Sequence, residues 1–170
     1  RALRDVTEKL GGSYTAAAVG EVNVVNAMKE TNAIIGGEGN GGVIYPELHY
    51  GRDALAGIAL FLSHLAKSNI SASRLRSGYP NYHISKNKIE LTPDLDVDQV
   101  LTEIQSKYAE FPINTIDGVK IDFESEWVHL RKSNTEPIIR IYVESASEAT
   151  ADHLANKIIS DIKEIVNTKV

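Results

Sequence analysis

The chain has 170 residues, 42% hydrophobic and 24% charged, an ordinary globular composition that excludes a disordered, collagenous or fibrous polypeptide. Eighteen basic against 23 acidic residues give a net charge of −5, so there is no general basic field for nucleic acid or an anionic bilayer, and any anion must be bound locally. The absence of cysteine excludes a disulfide framework and a thiolate zinc site and suits a reducing, cytoplasmic compartment.

The apolar residues Leu3, Val6 and Leu10 form a helical stripe that Gly11-Gly12 ends. Ser13 to Ala18 reads as a strand, and Glu21 to Glu30, with Val22, Val25 and Met28 on one side, as a second helix. An apolar strand over Ala33 to Ile35 leads into Gly36-Gly37-Glu38-Gly39-Asn40-Gly41-Gly42, and a strand Val43 to Tyr45 follows. The next helix, about Arg52 to Lys67, carries apolar residues on nearly all sides, as a helix buried against a sheet does. Its apolar run, near Ala54 to Ala66, is broken by Gly57, Ser63 and His64 and is too short to cross a bilayer. Alternating helices and short strands over residues 1–74 predict a partial α/β domain with a mixed sheet. The chain starts at Arg1 and its one methionine is Met28, so it reads as part of a longer polypeptide whose first elements precede Arg1.

Ser68 to Pro93 is rich in Ser, Asn, Tyr and Lys, with Pro80 and Pro93 as punctuation, and marks a hinge before a second domain over residues 75–170. Asp96 with Gln99 forms a capping box for a helix carrying Val97, Val100, Leu101, Ile104 and Tyr108. Val119, Ile121 and Phe123 alternate with charged residues as in a half-buried strand, and Trp127 to Arg131 and Ile138 to Glu144 make a hairpin. Ser145 with Glu148 predicts a capping box for a last helix, whose stripe runs from Ala151 through Leu154, Ile158 and Ile162 to Val166. The order predicts a smaller α+β domain, an antiparallel sheet with helices on one face.

The hairpin loop, Arg131-Lys132-Ser133-Asn134-Thr135-Glu136-Pro137-Ile138-Ile139-Arg140, concentrates two of the seven arginines with a lysine, two hydroxyls and an amide. Guanidinium forks match phosphate oxygens, and Ser, Thr, Asn and backbone amides donate the remaining bonds, so the inventory suits a phosphate dianion. If Arg131 opposes Ile138, then Arg140 opposes His129 and both arginines share a face; a one-residue slip turns Arg140 away. Glu136 is a candidate to hold an arginine or the lysine. The plain alternative is a polar turn with solvated charges.

The run Arg131-x-Ser133-Asn134-Thr135-Glu136-Pro137-x-x-Arg140, with Glu144 four residues on, resembles the signature of the last domain of the α-D-phosphohexomutases, the phosphoglucomutase and phosphomannomutase family. The family's third domain carries a loop Gly-Glu-x-Ser-Gly-His that meets sugar hydroxyls, and Gly37-Glu38-Gly39-Asn40-Gly41-Gly42 stands in its place. Glu38 matches; Asn40 replaces the commoner serine, Gly42 the commoner histidine, and Ala18 a lysine many members carry. The resemblance implies sugar binding by Glu38 and Asn40 and phosphate binding by Arg131, Ser133, Asn134, Thr135 and Arg140. It implies a full-length enzyme that moves phosphate between the 1 and 6 positions of a hexose through a hexose 1,6-bisphosphate intermediate and activator. A phosphoserine in domain 1 and Mg2+ in domain 2 would do that chemistry. Neither loop occurs in this chain, so it holds no catalytic or metal residue and is expected to be inactive alone.

Read without the resemblance, the glycine cluster fits neither a dinucleotide site nor a P-loop and could be a flexible connection. A non-catalytic module for sugar phosphate or phosphate, or a purely structural pair of domains, are the alternatives. The five histidines, His49, His64, His83, His129 and His153, lack metal-ligand spacing. Asp53 reads as a helix-start residue, and Trp127 alternates onto the face of Arg131.

Overall fold

The computed structural model describes residues 1–92, 95–133 and 136–168; Pro93, Asn134 and Thr135 lie outside the described residues. The chain divides into two compact units, Ala2–Pro80 and, with Arg1, the residues from Asn81 onward.

In the first unit, helices α1 (Ala2–Lys9) and α2 (Glu21–Thr31) form where the apolar spacing predicts them. The strand predicted over residues 13–18 is instead irregular and largely exposed. Its second half, Thr15-Ala16-Ala17-Ala18, is alanine-rich and has little side chain to pack on a pleated surface. The strand predicted at Ala33 to Ile35 also moves: β1 is Gly36–Gly37, pairing antiparallel with β2 (Val43–Tyr45), and Ile34 is 81% exposed. The ladder closes on the glycines because a Cβ at Gly37 would stand 2.1 Å from the Gly42 carbonyl oxygen, a contact no side chain allows. Strand β3 (His49–Arg52), not predicted because its His-Tyr-Gly-Arg sequence carries no alternation, pairs antiparallel with β2. Both ladders are antiparallel, so the parallel pairing of a mixed sheet is not found among the described strands.

Helix α3 (Ala54–Ser68) starts at Asp53, whose carboxylate accepts the Ala56 backbone N–H at 2.9 Å. That bond, with the His49 ring's, holds the Asp53 carboxyl below the usual aspartate range. The predicted burial of α3 does not occur: Ala56 is its one buried residue, and Leu55, Ile58, Phe61 and Leu62 are exposed. Strands of two, three and four residues are too short to cover a helix of 15. Helix α4 (Ala72–Ser77), capped by Ser71, spans the boundary expected between residues 74 and 75.

The second unit holds a five-stranded antiparallel sheet, β4 (His83–Glu90), β5 (Ile113–Asn114), β6 (Val119–Asp122), β7 (Trp127–Lys132) and β8 (Ile138–Ser145), in the order β4-β8-β7-β6-β5. Helix α5 (Val97–Lys107) and helix α6 (Glu148–Asn167) bury Val100, Ile104, Ala151, Ile158 and Ile162 against Ile121, Val128, Leu130, Ile139, Ile141 and Val143. Each fully buried aliphatic side chain contributes about 1.5–3 kcal/mol relative to exposure, which is what fixes this face of the sheet inward. Asp96 caps α5 by accepting from the Asp98 and Gln99 backbone amides. The cap of α6 is Ser147 with Thr150 rather than Ser145 with Glu148. Ser145 stays in β8, almost fully buried, and donates to Glu126 Oε1 at 2.7 Å. At the end of α5, Tyr108 donates to Asp161 at 2.5 Å, and burial first and that bond second raise its hydroxyl pKa.

The packing predicts contrasting costs on the two faces. Ile141→Ala, at a site with no exposure, is expected to destabilise the second unit by about 2–5 kcal/mol. Ile84→Thr, half exposed on the helix-free face, is expected to stay within about 0.5 kcal/mol. Urea unfolding of both variants checks the contrast; equal losses would contradict the assignment of faces.

Candidate functional site: a cationic hairpin and a glycine hairpin

Strand alternation sorts the second unit's sheet into two faces. With the α5 and α6 side buried, the opposite side of β7 and β8 carries Trp127, His129, Arg131, Arg140 and Tyr142. Arg131 and Arg140 are direct Cα partners across the two strands. The register therefore differs from Arg131 opposite Ile138 by two residues, and a shift of two keeps both arginines on one face because the side-chain period is two. Beyond the pair, the Ser133 backbone amide donates to the Ile138 carbonyl at 3.1 Å and the Ile138 amide to the Glu136 carbonyl at 2.8 Å, closing the turn. Ser133 is almost fully buried at its base.

Two members of the predicted set, Lys132 and Glu136, are placed differently from the expectation. Lys132 alternates to the other face and donates to Asp98 Oδ2 at 2.6 Å, a bond that raises its pKa, so it does not join the arginines. Glu136 makes no ion pair among the described residues; the carboxylate that holds Arg131 is Asp117, which accepts from Arg131 Nε at 3.1 Å. Asn134 and Thr135, predicted to bind phosphate, lie outside the described residues. Among the described residues Arg140 has no ion pair, and neither terminal nitrogen of Arg131 is bonded.

His129 stands beside the pair. Its Nε2–H donates to the Asp117 carbonyl oxygen, and burial lowers the ring's pKa against the opposing pull of that bond. Trp127 Nε1 donates to the buried Glu144 carboxylate at 2.8 Å, and Lys120 lies over the Trp127 ring at 5.5 Å while paired with Asp122.

In the first unit, the glycine segment is the tip of the β1–β2 hairpin. The Glu38 amide donates to the Gly42 carbonyl at 3.0 Å, the Gly41 amide to the Glu38 carbonyl at 3.1 Å, and the Gly42 amide to Asn40 Oδ1 at 3.0 Å. The Asn40 side-chain oxygen is thus engaged in the turn. The half-buried Glu38 carboxylate makes no ion pair among the described residues. His49 accepts from the Gly51 amide at Nδ1 and donates from Nε2 to Asp53 at 3.1 Å. Glu38 and Asn40 belong to the first unit, Arg131, Ser133 and Arg140 to the second.

The fold is that of sugar-phosphate mutases. The solved phosphoglucomutase/phosphomannomutase family protein of Burkholderia thailandensis matches 96% of this chain and 35% of its own at TM-score 0.76 and 24% identity. The N-acetylphosphoglucosamine mutase of Aspergillus fumigatus, solved with GlcNAc-6P and magnesium, matches 94% of this chain and 38% of its own at TM-score 0.59 and 14% identity. The chain belongs to the phosphoglucomutase/phosphomannomutase family: residues 1–82 match its alpha/beta/alpha domain III and residues 88–160 its C-terminal domain. Relatives include the phosphoglucosamine/phosphogalactosamine mutase of Sulfurisphaera tokodaii, 39% identical over 89% of this chain, and the phosphoglucomutase/phosphomannomutase of Thermococcus kodakarensis, 37% identical over 88%. The chain spans about a third of the length of these relatives, 33% of each.

The burial of His129 has a pH signature. Between its lowered folded pKa and the ordinary value of 6.5, the unfolded chain holds the imidazole proton and the folded chain does not, so stability falls as pH drops through that window and is unaffected above it. Replacing His129 by Gln is expected to flatten this part of the profile of urea midpoint against pH; an unchanged slope below about pH 6.5 would contradict it.

Proposed function

We propose that the chain is the sugar- and phosphate-binding part of a phosphohexomutase that moves a phosphoryl group between the 1 and 6 positions of a hexose through a bisphosphorylated intermediate. The observation that carries this reading is the direct pairing of Arg131 with Arg140 on the helix-free face, with Ser133 at the base of the same turn. Two guanidinium forks match the oxygens of a phosphate dianion, and each charged hydrogen bond contributes about 1.5–3 kcal/mol.

In this reading Arg131, Arg140 and Ser133, with Asn134 and Thr135, hold the phosphate that is not being transferred. Glu38 accepts hydrogen bonds from adjacent sugar hydroxyls, and the Asn40 side-chain amide donates another. Fixing the ester at one end orients the hydroxyl at the other, which is most of what phosphoryl transfer asks of a protein. By the family resemblance, the magnesium and the phosphoserine belong to other parts of the full-length polypeptide, and the 170 residues alone are expected to show no turnover.

The test is turnover by the full-length polypeptide on glucose 1-phosphate, mannose 1-phosphate and glucosamine 1-phosphate. Arg131→Ala and Arg140→Ala are each expected to lower kcat/KM by about 10- to 100-fold on the preferred substrate, the loss of one charged hydrogen bond. Turnover of none of the three esters by the unmodified polypeptide, or unchanged kcat/KM in both variants, would overturn the reading.

A further inference from the structure

We propose that Asp117 is a positioning residue for the anion site: its carboxylate grips Arg131 at Nε, fixing the guanidinium side-on so that both terminal nitrogens face the ligand. This inference rests on the phosphate reading above and deepens it.

Asp117 reaches Arg131 through a turn shaped for the purpose. Between β5 and β6 the chain makes a tight reversal in which the Ile116 amide donates to Asn114 Oδ1 at 2.9 Å. The next residue after Asp117, Gly118, has φ +75°, and a Cβ there would stand 2.2 Å from the Leu130 carbonyl oxygen and 3.3 Å from the Arg131 Cα. Only glycine lets the turn press this closely on β7. His129, two residues before Arg131, donates from Nε2 to the Asp117 carbonyl and pins the turn's backbone, while the carboxylate meets Arg131 Nε. The uncharged imidazole, kept so by burial, leaves this strut unchanged at neutral pH.

The pairing geometry separates two roles. A carboxylate placed beside a cationic site for charge alone would weaken anion capture, since it offsets one of the two positive charges. A carboxylate on Nε leaves the end of the fork, Nη1 and Nη2, available for bidentate contact with a phosphate. It also removes rotamer freedom that a long flexible side chain would otherwise lose on binding. Neighbouring Lys120 is engaged by Asp122 and lies over Trp127, and Arg140 has no matching carboxylate among the described residues. Arg131 is therefore the preset arm of the pair and Arg140 the adaptable one.

The two roles predict opposite signs. In the full-length polypeptide, with glucose 1-phosphate binding followed by calorimetry, Asp117→Ala is expected to weaken affinity by about 10-fold, the order of one long side chain's rotamer freedom. Asp117→Asn keeps an oxygen for Nε and is expected to stay within about 3-fold. In an Arg131→Ala background, Asp117→Ala is expected to have no further effect, because the residue acts through Arg131. Affinity unchanged or tighter in Asp117→Ala, or the same loss with and without Arg131, would overturn the proposal. Unchanged affinity in Arg131→Ala itself would instead overturn the phosphate reading on which it rests. Should Asp117→Ala not fold, the Arg131 Nε–H resonance of the unmodified protein carries the test: slow exchange with water supports the grip, and exchange as fast as an exposed arginine's overturns it.

Discussion

Two arginines as direct partners across a sheet are an unfavourable arrangement by themselves, since like charges facing each other on one surface repel. Burial of the opposite face holds Arg131 and Arg140 together despite that repulsion. Asp117 balances one of the two charges and the other is left over, so the hairpin keeps a net positive demand at its tip. Lys132, the third cation of the same loop, is turned to the opposite face and satisfied by Asp98. A doubly negative ester bridging both forks would relieve the repulsion and satisfy the donors at once. That is why the pairing, rather than the basic composition of the loop, carries the functional reading.

The scaffold that makes the pairing possible is apolar. The helix-facing residues of β7 and β8, Val128, Leu130, Ile139, Ile141 and Val143, have no exposure, so neither strand can slip by one residue without exposing its core set. Register is thereby locked by burial on one face, and the arginines inherit their positions on the other. The first unit relies on a different device. Its hairpin tip closes through backbone contact at Gly37 and an Asn40 side-chain bond, bringing Glu38 to the turn with little side-chain bulk around it.

Much of this was legible in the sequence, for identifiable reasons. The helices α5 and α6 declare themselves because an amphipathic stripe is read within one segment, and β6, β7 and β8 because their buried residues alternate. The shared face of the arginines was readable although their register was not, since a two-residue shift preserves the face. Strand β4 escaped because His-Ile-Ser-Lys-Asn-Lys-Ile-Glu has only two apolar residues, on opposite faces; its place is set by the ladder with β8. Asp117 escaped because its role depends on contact across the sheet, although the Asp-Gly dipeptide before a strand signals the tight turn that delivers it. The misplaced cap of α6 shows the same limit: Ser145 is held in β8 by Glu126, leaving Ser147 to start the helix.

The most direct measurement is an NMR titration of the full-length polypeptide, isotopically labelled at arginine side chains, with glucose 1-phosphate. Joint capture of one ester predicts that the Arg131 and Arg140 guanidinium signals shift together, with a single common midpoint. Signals that stay still, or that respond at two separate midpoints, would contradict it.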